Sequence, residues 1–166
     1  MDINPVWYFR KVLVKINRIL IRVLNGALFF LFAVLILIVA ANVICRYVLK
    51  SPLFWVTELA CYILVYLIFL GAALALYRGE HVRIYTEGMK MPSVCRNIFE
   101  KTAVLFNYLF IVLLIVFGMT VAVKNFKSYT GSLPIPMGYV YLAAPVSGIA
   151  MLLLYTERIF VKKKDE

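Results

Sequence analysis

Residues 23–45 read VLNGALFFLFAVLILIVAANVIC, a run without a single charged side chain. A helix needs about 20 apolar residues to cross the hydrocarbon core of a bilayer, so this stretch can span one alone. Three more follow: Leu53 to Tyr77, charged only at Glu58; Thr102 to Val123; and one within Tyr139 to Thr156. Transmembrane strands alternate apolar and polar residues, and these runs do not. The predicted fold class is therefore an all-α integral membrane protein with four transmembrane helices. Its spans fall near 23–48, 53–78, 98–123 and 139–160, within one membrane domain covering 1–166.

Composition points the same way. Apolar residues make up 64% of the chain, and a small soluble fold has too much surface to hide that share. The net charge of +10 raises nucleic acid as a partner. Single-strand binders interleave their cations with aromatic rings along a groove, whereas here the cations sit in short groups between the apolar runs, so no nucleic-acid partner is expected. The first apolar run begins only at Val23 and is too long for a signal-peptide core; it is expected to stay as a span. Cys45, Cys61 and Cys95 have no metal-ligand spacing and read as free thiols packed as small hydrophobes, with a Cys45–Cys61 bridge left open. No internal repeat or low-complexity segment is visible.

Counting cations between the runs orients the chain. The N-terminal segment holds Arg10, Lys11, Lys15, Arg18 and Arg22, and the first connection Arg46 and Lys50. The second holds Arg78, Arg83, Lys90, Arg96 and Lys101, the third Lys124 and Lys127, and the tail Arg158 and Lys162 to Lys164. Cytoplasmic loops are the basic ones, which predicts both termini in the cytoplasm. Before the first span, Lys11, Lys15, Arg18 and Arg22 share one arc of a helix, with Phe9, Leu13, Ile16 and Leu20 opposite. Such an amphipathic helix, about residues 5–22, is expected to lie in the interface with its cations on lipid phosphates and Trp7 and Tyr8 as anchors. The alternative is a plain extension of the first span into the cytoplasm.

The remaining punctuation is local. Pro92 and Ser93 mark a helix start ahead of the third span. Gly131, Pro134, Pro136 and Gly138 predict an ordered non-helical turn after it, and Pro145 a kink in the fourth span.

Glu58 is the only acid inside a span, and such groups are functional candidates by default. Arg46 lies a similar distance before the same turn, so a structural ion pair between Arg46 and Glu58 is expected; a proton or cation carrier site is the sharper alternative. His81, the sole histidine, has no companion ligands or nucleophile in the sequence and reads as a hydrogen-bonding residue at an interface. Gly71-Ala72-Ala73 with Ala75 offers a small-residue face for a close helix, inside the unit or from another subunit, and Ser147 and Gly148 carry the same ambiguity. The sequence holds no phosphate-binding glycine loop, no paired His and acid on one helix face and no nucleophile elbow. No enzyme activity and no cofactor are expected.

Several motifs together resemble a known family. Arg46-Tyr47, Trp55-Val56-Thr57-Glu58-Leu59-Ala60, Phe69-Leu70-Gly71-Ala72-Ala73 and Gly79-Glu80-His81-Val82 resemble the small (DctQ-type) membrane subunit of tripartite ATP-independent periplasmic (TRAP) transporters. Leu133-Pro134-Ile135-Pro136-Met137-Gly138 and Tyr141-Leu142-Ala143-Ala144-Pro145-Val146-Ser147-Gly148 do so too, in the same order along residues 20 to 160. Members often carry two consecutive acids where this chain has Thr57-Glu58. The resemblance implies a bacterial or archaeal cytoplasmic-membrane protein in the lipid bilayer. It would form a heterodimer with a large membrane subunit that carries an organic acid, of C4-dicarboxylate or sialic-acid type, inward with sodium ions. It also implies a periplasmic substrate-binding protein as a docking partner.

On that reading Trp55, Gly71, Ala72, Ala75, Pro145 and Gly148 are candidate subunit-packing positions. Lys50, Lys124, Lys127, Pro134 and Pro136 are candidates for the docking face, and Trp7, Lys11, Lys15, Arg18 and Arg22 for lipid anchoring. The rival readings are a self-sufficient proton-coupled exporter using Glu58 as a homo-oligomer, and an anchor subunit of a membrane enzyme, which would need ligands such as axial His pairs.

Overall fold

The apolar runs become helices because a backbone in lipid must satisfy its own hydrogen bonds, and a helix does so within one segment. The computed structural model of the protein describes the backbone of residues 5–51, 53–78, 93–129 and 131–162, with the side chains of 14–51, 53–78, 102–129, 131–157 and 159. His81, the Gly79–Val82 motif, Pro92 and the side chains of Trp7, Lys11 and Cys95 lie outside these. The elements are α1 (Pro5–Tyr47), α2 (Phe54–Arg78), α3 (Ser93–Lys124), α4 (Met137–Tyr141) and α5 (Ala143–Lys162). Four spans within them are long and apolar enough to cross a membrane: Val14–Tyr47, Phe54–Arg78, Thr102–Lys124 and Met137–Glu157.

The expected boundary between an interfacial helix and the first span is not there. Pro5 to Tyr47 is one α-helix, about 64 Å long at 1.5 Å per residue, roughly twice the hydrocarbon thickness. Periodicity reports which side of a helix is polar and carries no information about whether its axis bends. Asn17 and Leu24, on one side of this extension, are buried. Lys15, Arg18 and Arg22 are exposed on another, and Ile16, Ile19 and Val23 are exposed on a third. The N-terminal part of α1 thus packs on its own chain as well as meeting its surroundings.

The fourth span divides where proline requires it. Pro145 has no N–H, and its ring crowds the carbonyl four residues back, at Tyr141. α4 ends at that residue, and α5 restarts at Ala143 with Pro145 in its first turn, where an N–H has no intrahelical partner to lose. Val146 N–H donates to Leu142 O at 3.1 Å and keeps the two pieces nearly continuous.

The helices pack as a row. α2 lies against both α1 and α5, α3 lies against α5 and α4, and α1 also reaches α5; among the described residues α1 and α3 do not meet. Of the most apolar stretch of each span, 44% is buried at the fourth and none at the first, so α5 is central and α1 is a flank. The core joins Leu24, Leu70, Ala73, Leu76, Ile111, Ala150, Met151, Leu154 and Tyr155. Between α3 and α5, Gly148 lets the backbones close: a Cβ there would stand 2.6 Å from Ile115 Cγ1, well inside the carbon–carbon optimum of about 3.5–4.0 Å.

A polar layer crosses the end of the bundle that holds the start of α1 and the end of α5. Asn17 Nδ2 donates to Leu153 O at 3.0 Å and to the Glu157 carboxylate at 2.5 Å. Asn107 Nδ2 donates to Tyr155 Oη at 3.1 Å, and the Tyr108 and Thr156 hydroxyls pair at 3.3 Å. These contacts place the start of α1 and the end of α5 on the same end of the molecule.

Candidate functional site

At the opposite end, the segment from Asn125 to Gly138 forms a closed loop. Met137 N–H donates to Ser128 O at 2.8 Å and Gly138 N–H to Asn125 O at 3.1 Å, with a bridge between Tyr129 and Pro136. Gly138 is required at this closure, because a Cβ there would sit 2.8 Å from the Phe126 ring and 2.9 Å from Ala122 O. Phe126 meets Tyr139 edge-on at 5.3 Å between ring centres, and Tyr66 Oη on α2 donates to Tyr139 O at 2.6 Å. The Gly/Pro composition that predicts a non-helical turn here is matched by this geometry.

Glu58 closes the site from α2. Ser132 N–H donates to its Oε1 at 3.2 Å and Leu133 N–H to its Oε2 at 3.1 Å, so the carboxylate bridges two successive backbone donors. Consecutive N–H groups of a turn form a concave anion cradle, and hydrogen bonds to a carboxylate are stronger than neutral ones. The expected pairing with Arg46 is therefore corrected. Among the described residues no Arg46–Glu58 ion pair forms; the Arg46 guanidinium lies 6.0 Å from the centre of the Tyr47 ring on its own helix. Equal sequence distance from a turn placed Arg46 and Glu58 at similar depth, but depth does not choose a partner, and the loop backbone occupies the side that Glu58 faces.

The turn between α1 and α2 completes this end. Lys50 adopts φ 52°, the left-handed conformation that ends many helices, and Ser51 N–H reaches back to Cys45 O at 3.2 Å. Leu53 N–H donates to Asn42 Oδ1 at 3.4 Å. Lys50, Lys124 and Lys127 are exposed, as is Pro134, while Pro136 is half-buried in the loop closure. Lys124 and Lys127 adjoin the loop; Lys50 stands on the separate α1–α2 turn. Cys45 and Cys61 are both free thiols.

The small-residue positions divide. Pro145 and Ser147 are fully buried, and Gly148 is closed by Ile115, so Pro145 and Gly148 pack within the chain. Ala72 packs against the core and Ala75 is half-buried. A Cβ at Gly71 would meet nothing within 4 Å, and Trp55 is 43% exposed; these two remain open. Sequence reasoning missed the Asn17–Glu157 pair. Its signal was an amide on the apolar side of the N-terminal helix and an acid in the last turns of the fourth span.

Residues 35–163 match the family model of the DctQ component of the tripartite ATP-independent periplasmic transporters. The chain belongs to this family. Among its relatives is the sialic acid TRAP transporter small permease protein SiaQ of Vibrio cholerae, 28% identical over 130 residues that cover 78% of this chain and 75% of the relative. A putative TRAP transporter small permease protein of Haemophilus influenzae is 25% identical over 127 residues, covering 76% and 79% of the two chains. The clasped loop, Glu58, Gly71 and the Pro145 break all fall inside the matched range. This DctQ-type chain is thus a small permease subunit of a membrane transporter, in a family of transport components and not of enzymes.

Proposed function

We propose that the chain is the scaffold subunit of a sodium-coupled TRAP importer of an organic acid, packing beside a large transport subunit and helping to dock a periplasmic binding protein. The row of helices carries this reading: two central helices bury the core, and α1 and α3 flank it with Phe29, Phe30, Leu105, Phe106 and Phe117 exposed. Such a slab is a wall with apolar flanks, suited to lipid on one side and a second membrane protein on the other. Gly71 and Trp55 are the packing candidates that remain available. A relative named for sialic acid supports an acidic substrate of that type, with C4-dicarboxylates the other class.

The positive-inside count favours the cytoplasm for the end that holds the start of α1 and the end of α5, and the outside for the clasped loop. Lys15, Arg18 and Arg22, exposed beside the apolar Ile16, Ile19 and Val23, then hold α1 at the cytoplasmic lipid headgroups. The exporter reading loses support because both Glu58 oxygens are engaged by loop N–H groups. The test is capture of the tagged chain from its native membrane in mild detergent. Recovery of a large polytopic partner at equal stoichiometry is expected; a chain that purifies alone and moves a solute in vesicles would overturn the proposal.

A further inference from the structure

The geometry points to Glu58 as a positioning residue for partner docking: by clasping Ser132 and Leu133 it holds the loop in the one shape that presents Lys127, Tyr129 and Pro134 to an acidic protein face. The inference rests on the docking role and orientation proposed above.

Two independent observations carry it. The first is the clasp, which joins α2 to a loop 74 and 75 positions away in sequence and uses both carboxylate oxygens. A structural acid needing only neutralisation would take a cation, and Arg46 is exposed at the end of α1; Glu58 takes the loop backbone instead. The second is charge. The connections at this end contain Arg46, Lys50, Lys124 and Lys127, and Glu58 is the only acid there, four cations against one anion. With that anion directed into the backbone, the outward lysines face solvent uncompensated. At the loop closure a large aromatic, Tyr129, is also exposed, at 63%. An aromatic beside a lysine on a rigid loop is the composition of an interface anchor for a partner carrying carboxylates. A preorganised loop also loses less conformational freedom on binding than a loose one.

The clasp and the docking are tested separately. The chain is co-produced with its large subunit in lipid nanodiscs, and two quantities are read: amide hydrogen exchange over 129–137 and the affinity of the soluble binding protein. Glu58→Gln removes the charge from the α2 side. Ser132→Pro removes one donor from the loop side and leaves the acid in place, which covers the case in which the first variant assembles poorly. Both are expected to speed exchange roughly tenfold at the clasp, the scale of a charge-assisted hydrogen bond lost from a local opening equilibrium, and to weaken docking by a similar factor. Lys127→Glu is expected to weaken docking with exchange unchanged. Unchanged exchange in both clasp variants would overturn the inference. So would faster exchange with docking intact while Lys127→Glu still weakens it, although the docking role would survive that result. If Lys127→Glu and both clasp variants leave docking at wild-type strength, the docking role fails and the inference with it.

Discussion

Gly148→Ala adds one methyl at the tightest point of the α3–α5 contact. Its carbon would lie 2.6 Å from Ile115 Cγ1, with Ile115 Cδ1 at 3.5 Å and the Ile115 backbone nitrogen at 3.7 Å. The shortest distance is about 1 Å below the optimum for two carbons. Ile115 cannot simply swing clear, because a β-branched side chain in a helix has one strongly preferred χ1 rotamer. Relief must come from separating the helices, and overpacking of this kind costs about 1–3 kcal/mol. Water does not drive helices together inside lipid, so the loss of close packing is not masked there. Unfolding of the isolated chain in detergent by increasing denaturant should show that loss. Ile115→Ala removes the clashing atom, so the double variant should be less destabilised than the sum of the singles by at least about 1 kcal/mol. Gly71→Ala is the internal control, since nothing lies within 4 Å of the added methyl; it should be neutral, or stabilising by up to the helix-propensity difference of about 1 kcal/mol. Stability of Gly148→Ala within about 0.3 kcal/mol of wild type, or strict additivity with Ile115→Ala, would refute the close-packing argument.

Gly71→Leu should leave the isolated chain folded and reduce recovery of the large subunit in a co-purification; unchanged recovery would remove Gly71 from the subunit interface. Asn17→Ala takes the amide donor from the buried Glu157 carboxylate and should destabilise the chain by about 1–3 kcal/mol. Exchanging both residues for leucine should recover most of that loss, read by the same unfolding assay. Lys50→Gly relieves a left-handed backbone conformation at a non-glycine residue and should raise the unfolding midpoint, by a few tenths to about 1 kcal/mol of stability. A lowered midpoint would mean that the Lys50 side chain contributes more than its backbone conformation costs.

The fold class was readable from Val23 to Cys45 and the three runs after it, because the thickness of the bilayer turns apolar length directly into a span. The break at Pro145 and the non-helical turn over residues 131–136 were readable for a similar reason, since proline and glycine act on their own backbone; the helix α4 takes over at Met137, one residue before the expected end of the turn at Gly138. The membership motifs were local as well. None of these signals says which helices touch. A span that is apolar around its whole circumference looks alike from every side, so the packing of α1 on α2 and α5, and of α3 on α5, emerged only when Gly148 met Ile115 and Asn17 met Glu157. Likewise Glu58 announced itself as an acid in a span, but its partners lay 74 and 75 residues away on a loop backbone. Sequence alone determined the spans and their punctuation, which depend on each segment and the lipid around it. Tertiary structure decided the packing order and the destination of each buried polar group, which depend on surfaces that come together only when the helices do.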